Sequence, residues 1–287
     1  MKLQTPVADI QCRVGISYKH KTMMLGSCFS DNIGTRLKNY GFDVCINPFG
    51  TLYNPASVLS SIKRLLSCRH FTEDDCIMIG AGDSRICSFH HHTSFARSTV
   101  AEFIENANAR LEEAAEFFKG CDRVVITLGT GWCYRHLEKD MIVSNCLKRN
   151  PKEFSREFLH AQTISGMLNE MMALCPDKQF IFTVSPIRHF KDGAHGNQLS
   201  KASLLLGIEE ATSEAQGQAD YFPAYEIVMD ELRDYRFYAE DMCHPTQQTA
   251  DYICERFLDW ALPEEEQDIL KENIRTFRRG CHIPFGN

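Results

Sequence analysis

The sequence predicts a three-layer αβα sandwich built on a parallel sheet of about five strands. Two observations carry that expectation. Short, fully apolar runs alternate with amphipathic segments along most of the chain, the pattern of βαβ units. No Pro-, Gly- or Ser-rich linker, internal repeat or low-complexity stretch divides the 287 residues. The expected organisation is therefore one domain over residues 1–287, with an excursion around 67–98 and a helical C-terminal tail from about 263.

Thr22-Met23-Met24-Leu25 reads as the first strand, ended by Gly26. Asp31 to Tyr40 carries Ile33, Leu37 and Tyr40 at helical spacing, with Gly41 as the stop. Phe42 to Asn47 reads as a second strand. Asn54-Pro55 then supplies a cap and a Pro start for a helix with Val58, Leu59, Ile62, Leu65 and Leu66 on one face. Between Ser67 and Ala96 the short alternating pieces Cys76–Ile79 and Ile86–Phe89 predict a hairpin-like insertion.

Thr99-x-x-Glu102 is a capping box, followed by Phe103, Ala107, Leu111, Ala114 and Phe118 on one stripe and by Gly120. Arg123 to Leu128 is a buried strand running into Gly129-Thr130-Gly131. Asn150-Pro151 predicts a helix extending to about Cys175-Pro176. Phe180 to Val184 reads as a fourth strand, followed by a helix with Leu204, Leu205, Ile208 and Ala211. Ala219 to Phe222 is a weaker fifth strand, and Thr246 to Trp260 a closing helix through Ala250, Ile253, Cys254 and Phe257.

Composition bounds the function classes. Hydrophobic residues make up 44% and charged residues 24%, which excludes a disordered, collagen-like or coiled-coil chain. The formal net charge is -7, so the charge balance does not point to nucleic acid or anionic lipid as a partner. Thirteen cysteines with no C-x-x-C pair, scattered from Cys12 to Cys281 mostly in apolar runs, read as free thiols of a reducing cytoplasm. Met1 to Tyr18 mixes polar residues into its apolar ones and offers no signal-peptide core. No run approaches 18 apolar residues, so no membrane span is expected.

In an open parallel sheet, ligands bind at the carboxyl ends of the strands. Four such ends are legible: Gly26–Ser30, Asn47–Thr51, Gly129–Trp132 and Ser185–His189; Asp241–Thr246 precedes the last core helix. On one edge they bring together a hydroxyl, a thiol, backbone amides, imidazoles and a carboxylate, the inventory of a nucleophilic acyl-transfer site. Ser27 follows a strand-ending Gly and precedes a helix, so its hydroxyl sits at a positive helix terminus; the same position suits a plain N-cap. Asp241-x-x-His244 has the separation that lets a carboxylate reach Nδ1 and hold the tautomer while Nε2 faces a nucleophile; two surface loop residues would share that spacing.

Five blocks in this order, Gly26-Ser27-Cys28-Phe29-Ser30, Asn47-Pro48-Phe49-Gly50-Thr51, Leu128-Gly129-Thr130, Thr183 to His189 and Asp241-x-x-His244-Pro245, resemble the GSCFA-domain family within the SGNH (GDSL-like) hydrolase superfamily. The resemblance covers most of residues 20–260. It implies a flavodoxin-like sandwich with a Ser27-His244-Asp241 triad and an oxyanion hole that includes the backbone N–H groups of Ser27 and Gly50. Where many members of the superfamily read Gly-x-Asn-Asp, this chain reads Gly129-Thr130-Gly131-Trp132, so Thr130, Asn197 or another group must replace the Asn donor. The activity so implied is a serine-dependent ester hydrolase that removes a small acyl group, such as acetyl from a carbohydrate, without a cofactor. The alternative is a degenerate relative that binds an acylated sugar or lipid without turnover.

Other residues compete for roles. Cys28, also at the helix start, is an alternative nucleophile. His90-His91-His92 suggests metal through His90 and His92, but no partner ligand is positioned, and a substrate-lining role for His92 is expected with no metal. Arg188 and His189 suit an anionic or sugar portion of the substrate, unless Arg188 pairs with Asp192 or Glu240. Trp132 and Tyr134 suit stacking on a sugar ring or packing in the core. His195 and His136 carry no assignment.

Overall fold

The computed structural model describes residues 5–7, 12–215 and 217–281. Residues 1–4 and 8–11 of the segment read for targeting, the side chain of Cys281 and the end of the C-terminal tail lie outside that description. In chain order the elements are β1 (Thr22–Gly26), α1 (Cys28–Asn39), β2 (Val44–Ile46), α2 (Pro55–Ser67), β3 (Ile77–Met78), β4 (Ile86–Cys87) and α3 (Val100–Lys119). Next come β5 (Arg123–Leu128), β6 (Trp132–His136), β7 (Met141–Val143), β8 (Phe154–Phe158), α4 (Ala161–Leu174) and β9 (Gln179–Val184). The chain continues through α5 (Gly193–Glu214), β10 (Ala219–Phe222), a π-helical turn (Ile227–Leu232), α6 (Gln247–Ala261) and α7 (Gln267–Cys281).

The central sheet has five strands in the order β10-β9-β5-β1-β2, all parallel. Counting only these strands, the order is 2-1-3-4-5, the flavodoxin-like winding. The strands are apolar without interruption because both faces are covered. Met23, Leu25, Val124, Ile126, Phe180 and Phe182 pack into one layer with α2, α3, α4 and α5. The intervening Met24, Val125 and Ile181 pack into the other with Phe29, Ile33 and Leu37 of α1 and Ile253, Phe257 and Leu258 of α6.

The expected stripe of α3 is buried in full, from Phe103 to Phe118, and Thr99 caps the helix through the Glu102 N–H. In α2, Val58, Leu59, Ile62 and Leu65 are buried as expected, whereas Leu66 is 47% exposed, because it rotates past the edge of the apolar face. Gly41, with φ 88, ends α1 one residue after the C-cap Tyr40. Among the described side chains every cysteine is a free thiol. No helix among the described residues is long and apolar enough to cross a membrane.

One expected element is corrected. Asn150-Pro151 does cap a turn, the Asn150 side chain accepting the Lys152 N–H at 3.0 Å, but the turn is a single 3₁₀ turn over Pro151–Glu153. Strand β8 comes next, and the α-helix begins only at Ala161. β8 pairs antiparallel with β6, Trp132 opposite Phe158 and Tyr134 opposite Arg156, and β6 pairs with β7 in a three-stranded sheet. A strand roughly twenty residues upstream supplies these hydrogen bonds, so local cap chemistry misreads the segment.

Gly26 sets the spacing at the carboxyl end of β1. It sits at φ 129, and a Cβ there would lie 2.1 Å from the Thr127 carbonyl oxygen of β5. Gly26→Ala is expected to destabilise the fold by about 3 kcal/mol or more through backbone strain and strand separation. Urea denaturation checks it; an unchanged midpoint would show that the β1–β5 contact is not held this tightly.

Candidate active site

Ser27 is the first residue past β1. Its N–H continues the ladder to the Thr127 carbonyl at 3.1 Å, and its Oγ caps α1 by accepting the Phe29 N–H at 3.3 Å. The hydroxyl therefore lies at the positive end of a twelve-residue helix, and the residue is 1% exposed. The loop after β2 is tied to this corner by Asn47, which has φ 40. Its Oδ1 accepts the Gly26 N–H at 2.9 Å and its Nδ2 donates to Asp31 Oδ1 at 2.7 Å. Gly50, at φ 77, leaves room for His92, whose Cβ is 2.5 Å from where a Gly50 Cβ would stand. The insertion thus returns over this rim, and the His92 N–H donates to Phe49 O at 3.0 Å.

Asp241 and His244 make the contact that their spacing predicts. His244 Nδ1 lies 2.7 Å from Asp241 Oδ2, while Asp241 Oδ1 accepts the N–H groups of Cys243 and His244, each at 2.9 Å. Those backbone donors, with the imidazole, hold the Asp241 carboxyl down at about 2, so it stays ionised across the neutral range. Both side chains are about half exposed. The loop is held to the end of β9: the Arg188 N–H donates to Cys243 O at 3.2 Å and the Cys243 thiol to Arg188 O at 2.7 Å. Arg36 of α1 joins the two halves, donating to Asp251 Oδ1 at 2.5 Å and Gln247 O at 3.3 Å in α6. Among the described residues no hydrogen bond joins Ser27 to His244.

The two expected oxyanion amides, and the amide of Thr130, already have acceptors. The Ser27 N–H donates to Thr127 O, that of Gly50 to Asn47 O at 2.7 Å and that of Thr130 to Tyr53 O at 2.9 Å. The Thr130 hydroxyl shares a hydrogen bond with Ser200 Oγ at 3.1 Å and accepts the Trp132 N–H at 3.0 Å. Asn197 Oδ1 accepts the His189 N–H at 3.0 Å, which shapes the loop after β9.

The remaining candidates separate clearly. Burial, with the Asp31 carboxylate, pushes the Cys28 thiol up to about 11, so the helix terminus does not make it a thiolate. His90 lies against Arg64 and Phe71, and His91 packs among Phe71, Phe95 and Phe103 with its Nδ1 2.7 Å from Ser88 Oγ. Burial lowers both imidazoles, and among the described residues no three His, Cys, Asp or Glu side chains gather as metal ligands. Trp132 stacks under the Arg156 guanidinium at 4.0 Å and meets Phe158 edge-on, so β8 covers its ring. Asp192 pairs with Arg156, leaving Arg188 among Phe190, Tyr235 and Tyr238.

The sequence profile of the GSCFA family matches residues 21–257, the span that contains all five blocks. The chain belongs to the GSCFA family. Among solved structures it is similar to a variant of Axe2, an acetyl xylan esterase from Geobacillus stearothermophilus, at 11% identity and TM-score 0.40, over 87% of this chain and 97% of that one. It is also similar to Est2A, an acetyl xylan esterase from Butyrivibrio proteoclasticus, at 10% identity and TM-score 0.40, over 85% and 63%. A third is a carbohydrate esterase family 2 enzyme with a carbohydrate binding domain from Corynascus thermopiles (Myceliophthora fergusii), at 12% identity and TM-score 0.39, over 89% and 68%. No curated protein matches.

One residue at the carboxyl edge of this GSCFA protein's sheet carries almost no signal in the sequence. Lys201, in α5, is 1% exposed, and its Nζ donates to Gly129 O at 2.6 Å and Ser185 O at 2.7 Å, clasping the carbonyls just beyond β5 and β9. A Lys beside Ser200, one turn after Asn197 on the buried face of α5, is the only local sign of it. Burial pulls its ammonium down from 10.5 to about 7; the Cys28 and Cys243 thiols oppose this without cancelling it. An unfolded chain holds the Lys201 proton up to pH 10.5, so between about 7 and 10.5 the unfolded state binds more protons. Stability contributed through Lys201 therefore rises as pH climbs through that window. Relative to Lys201→Met, the wild type is expected to gain in urea midpoint between pH 6 and pH 9. A difference that stays flat with pH would contradict the linkage.

Proposed function

We propose that this GSCFA protein is a serine-dependent ester hydrolase that removes a small acyl group, with acetyl on a carbohydrate as the simplest case. The observation that carries the reading is the Asp241–His244 pair. A carboxylate kept ionised by two backbone donors fixes the imidazole by Nδ1 at 2.7 Å, beside the loop that ends β9. Ser27 at the start of α1 supplies the alcohol, and Arg36 couples its helix to the helix after His244.

In the proposed reaction His244 Nε2 takes the Ser27 Oγ proton as Oγ bonds to the acyl carbon. Collapse of the tetrahedral adduct breaks the bond to the alcohol oxygen, which leaves with the proton from His244. Water then repeats the sequence on the acyl-serine, giving the carboxylic acid and restoring Ser27. Contact between Ser27 and His244 requires the exposed 241–244 loop to close toward α1, a tightening common on substrate binding. The amides of Ser27, Gly50 and Thr130 receive the oxyanion by sharing the hydrogen bonds they now make to Thr127, Asn47 and Tyr53. Shared donors stabilise less than free ones, so slow turnover is expected.

The same facts, a buried Ser27 and amides already bonded, favour a second reading: an acylated sugar or lipid bound without turnover. A fluorophosphonate probe separates the two, since a binding-only site leaves Ser27 unlabelled. On a short-chain p-nitrophenyl ester, Ser27→Ala is expected to lower kcat by about 10³ or more, and Asp241→Asn by about 10²–10⁴. Cys28→Ser is expected to stay near wild type, because its thiol is protonated at neutral pH. Undiminished hydrolysis by Ser27→Ala would end the proposal.

A further inference from the structure

Beside the Asp241–His244 loop lies a cavity of about 580 Å³ whose wall includes Arg188, His189, Phe190, Tyr225, Tyr235 and Tyr238. That volume is within the range of roughly 300–1,000 Å³ typical of small-molecule sites. It is formed where the end of β9 meets the segment after β10, including the π-helical turn Ile227–Leu232.

One polar group on its wall lacks the partner its chemistry calls for. Arg188 has no carboxylate within ion-pair distance among the described residues; its side chain makes one hydrogen bond, to Met242 O at 3.2 Å. The guanidinium lies 4.9 Å from the Phe190 ring, 5.7 Å from Tyr235 and 5.8 Å from Tyr238. The His189 ring also lines the cavity, with its Nε2 buried away from solvent. Burial, with the Lys201 ammonium, lowers His189 to about 4, so it is a neutral donor or acceptor at pH 7. The other charges on the wall are engaged: Arg233 pairs with Asp230 at 3.3 Å, and Asp234 accepts the Arg236 N–H at 2.8 Å.

The cavity and the proposed triad share a wall. Arg188 carries the carbonyls of Met242 and Cys243, two and one residues before His244. His189 faces Tyr53 edge-on at 6.5 Å. We infer that this cavity receives the alcohol portion of the ester, and that this portion is a six-membered ring bearing a carboxylate. The carboxylate pairs with Arg188 and the ring lies against the tyrosines. The assignment of the ring as the leaving alcohol rests on the ester-hydrolase reading; the binding of a ring acid does not.

Calorimetric titration tests it with 4-hydroxybenzoate and D-glucuronate, each beside its neutral counterpart, 4-methylphenol and D-glucose. The two acids distinguish an aromatic from a sugar ring. At least one acid is expected to bind about tenfold or more tightly than its neutral counterpart, equally to wild type and Ser27→Ala. Arg188→Met is expected to erase that preference, and Tyr235→Ala, at an exposed position that folding tolerates, to weaken the same acid. Acids that bind no better than their neutral counterparts, or a preference that survives Arg188→Met, would overturn the inference. Ester hydrolysis that survives in Ser27→Ala, beside intact acid binding, would overturn the catalytic reading alone.

Discussion

A parallel sheet ends in a row of carbonyls and amides that the strands themselves do not pair, and every one of them needs a partner. In this protein that need organises the carboxyl edge of the sheet. The Lys201 ammonium holds the carbonyls of Gly129 and Ser185, and the Ser27 N–H holds Thr127 O. Asn47 holds the Gly26 N–H. The strand ends are thereby kept at fixed spacing, and each of these contacts adjoins a residue with a proposed chemical role. Rigid support of this kind is what a site needs for precise geometry.

The walls around the edge come from segments outside the five-strand core. The residues after β4 return to lay His92 over Gly50. The three-stranded β6–β7–β8 sheet buries the face of Trp132 beneath Arg156, and the ion pair of Arg156 with Asp192 takes up one of the two carboxylates expected to pair with Arg188. Beyond β10, the π-helical turn and its tyrosines complete the cavity against Arg188 and His189. The core sets where chemistry sits, while these additions decide what approaches it.

Burial governs the electrostatics more than charge pairing does. Cys28 stands at a helix N-terminus, where a thiolate is ordinarily favoured, yet desolvation raises it. His90, His91 and His189 are neutral for the same reason, and Lys201 is drawn toward neutrality. Asp241 is the exception because it is exposed and accepts two backbone N–H groups. An exposed carboxylate that stays ionised across the neutral range sets His244 apart from the buried, neutral His90, His91 and His189.

Features decided by neighbours a few residues apart were legible in the chain. The α3 stripe, the Thr99, Asn54 and Thr246 caps and the Asp241–His244 contact all depend on helical periodicity or a turn, and a short segment carries that information. Ser27 as a helix cap is equally local. Features decided by distant partners were not legible. β8 is a strand only because β6 lies beside it, and Lys201 is a clasp only because α5 packs across two strand ends. The acceptors of the Ser27 and Thr130 amides come from a strand and a loop that the fold brings alongside. Hydrophobic pattern and cap chemistry act within a few residues, so the chain alone determined the alternation of strands and helices, while the flavodoxin-like winding was implied only by the family resemblance. Which polar groups at the carboxyl edge are already satisfied depended on packing, because hydrogen bonds between elements form only once the layers are assembled.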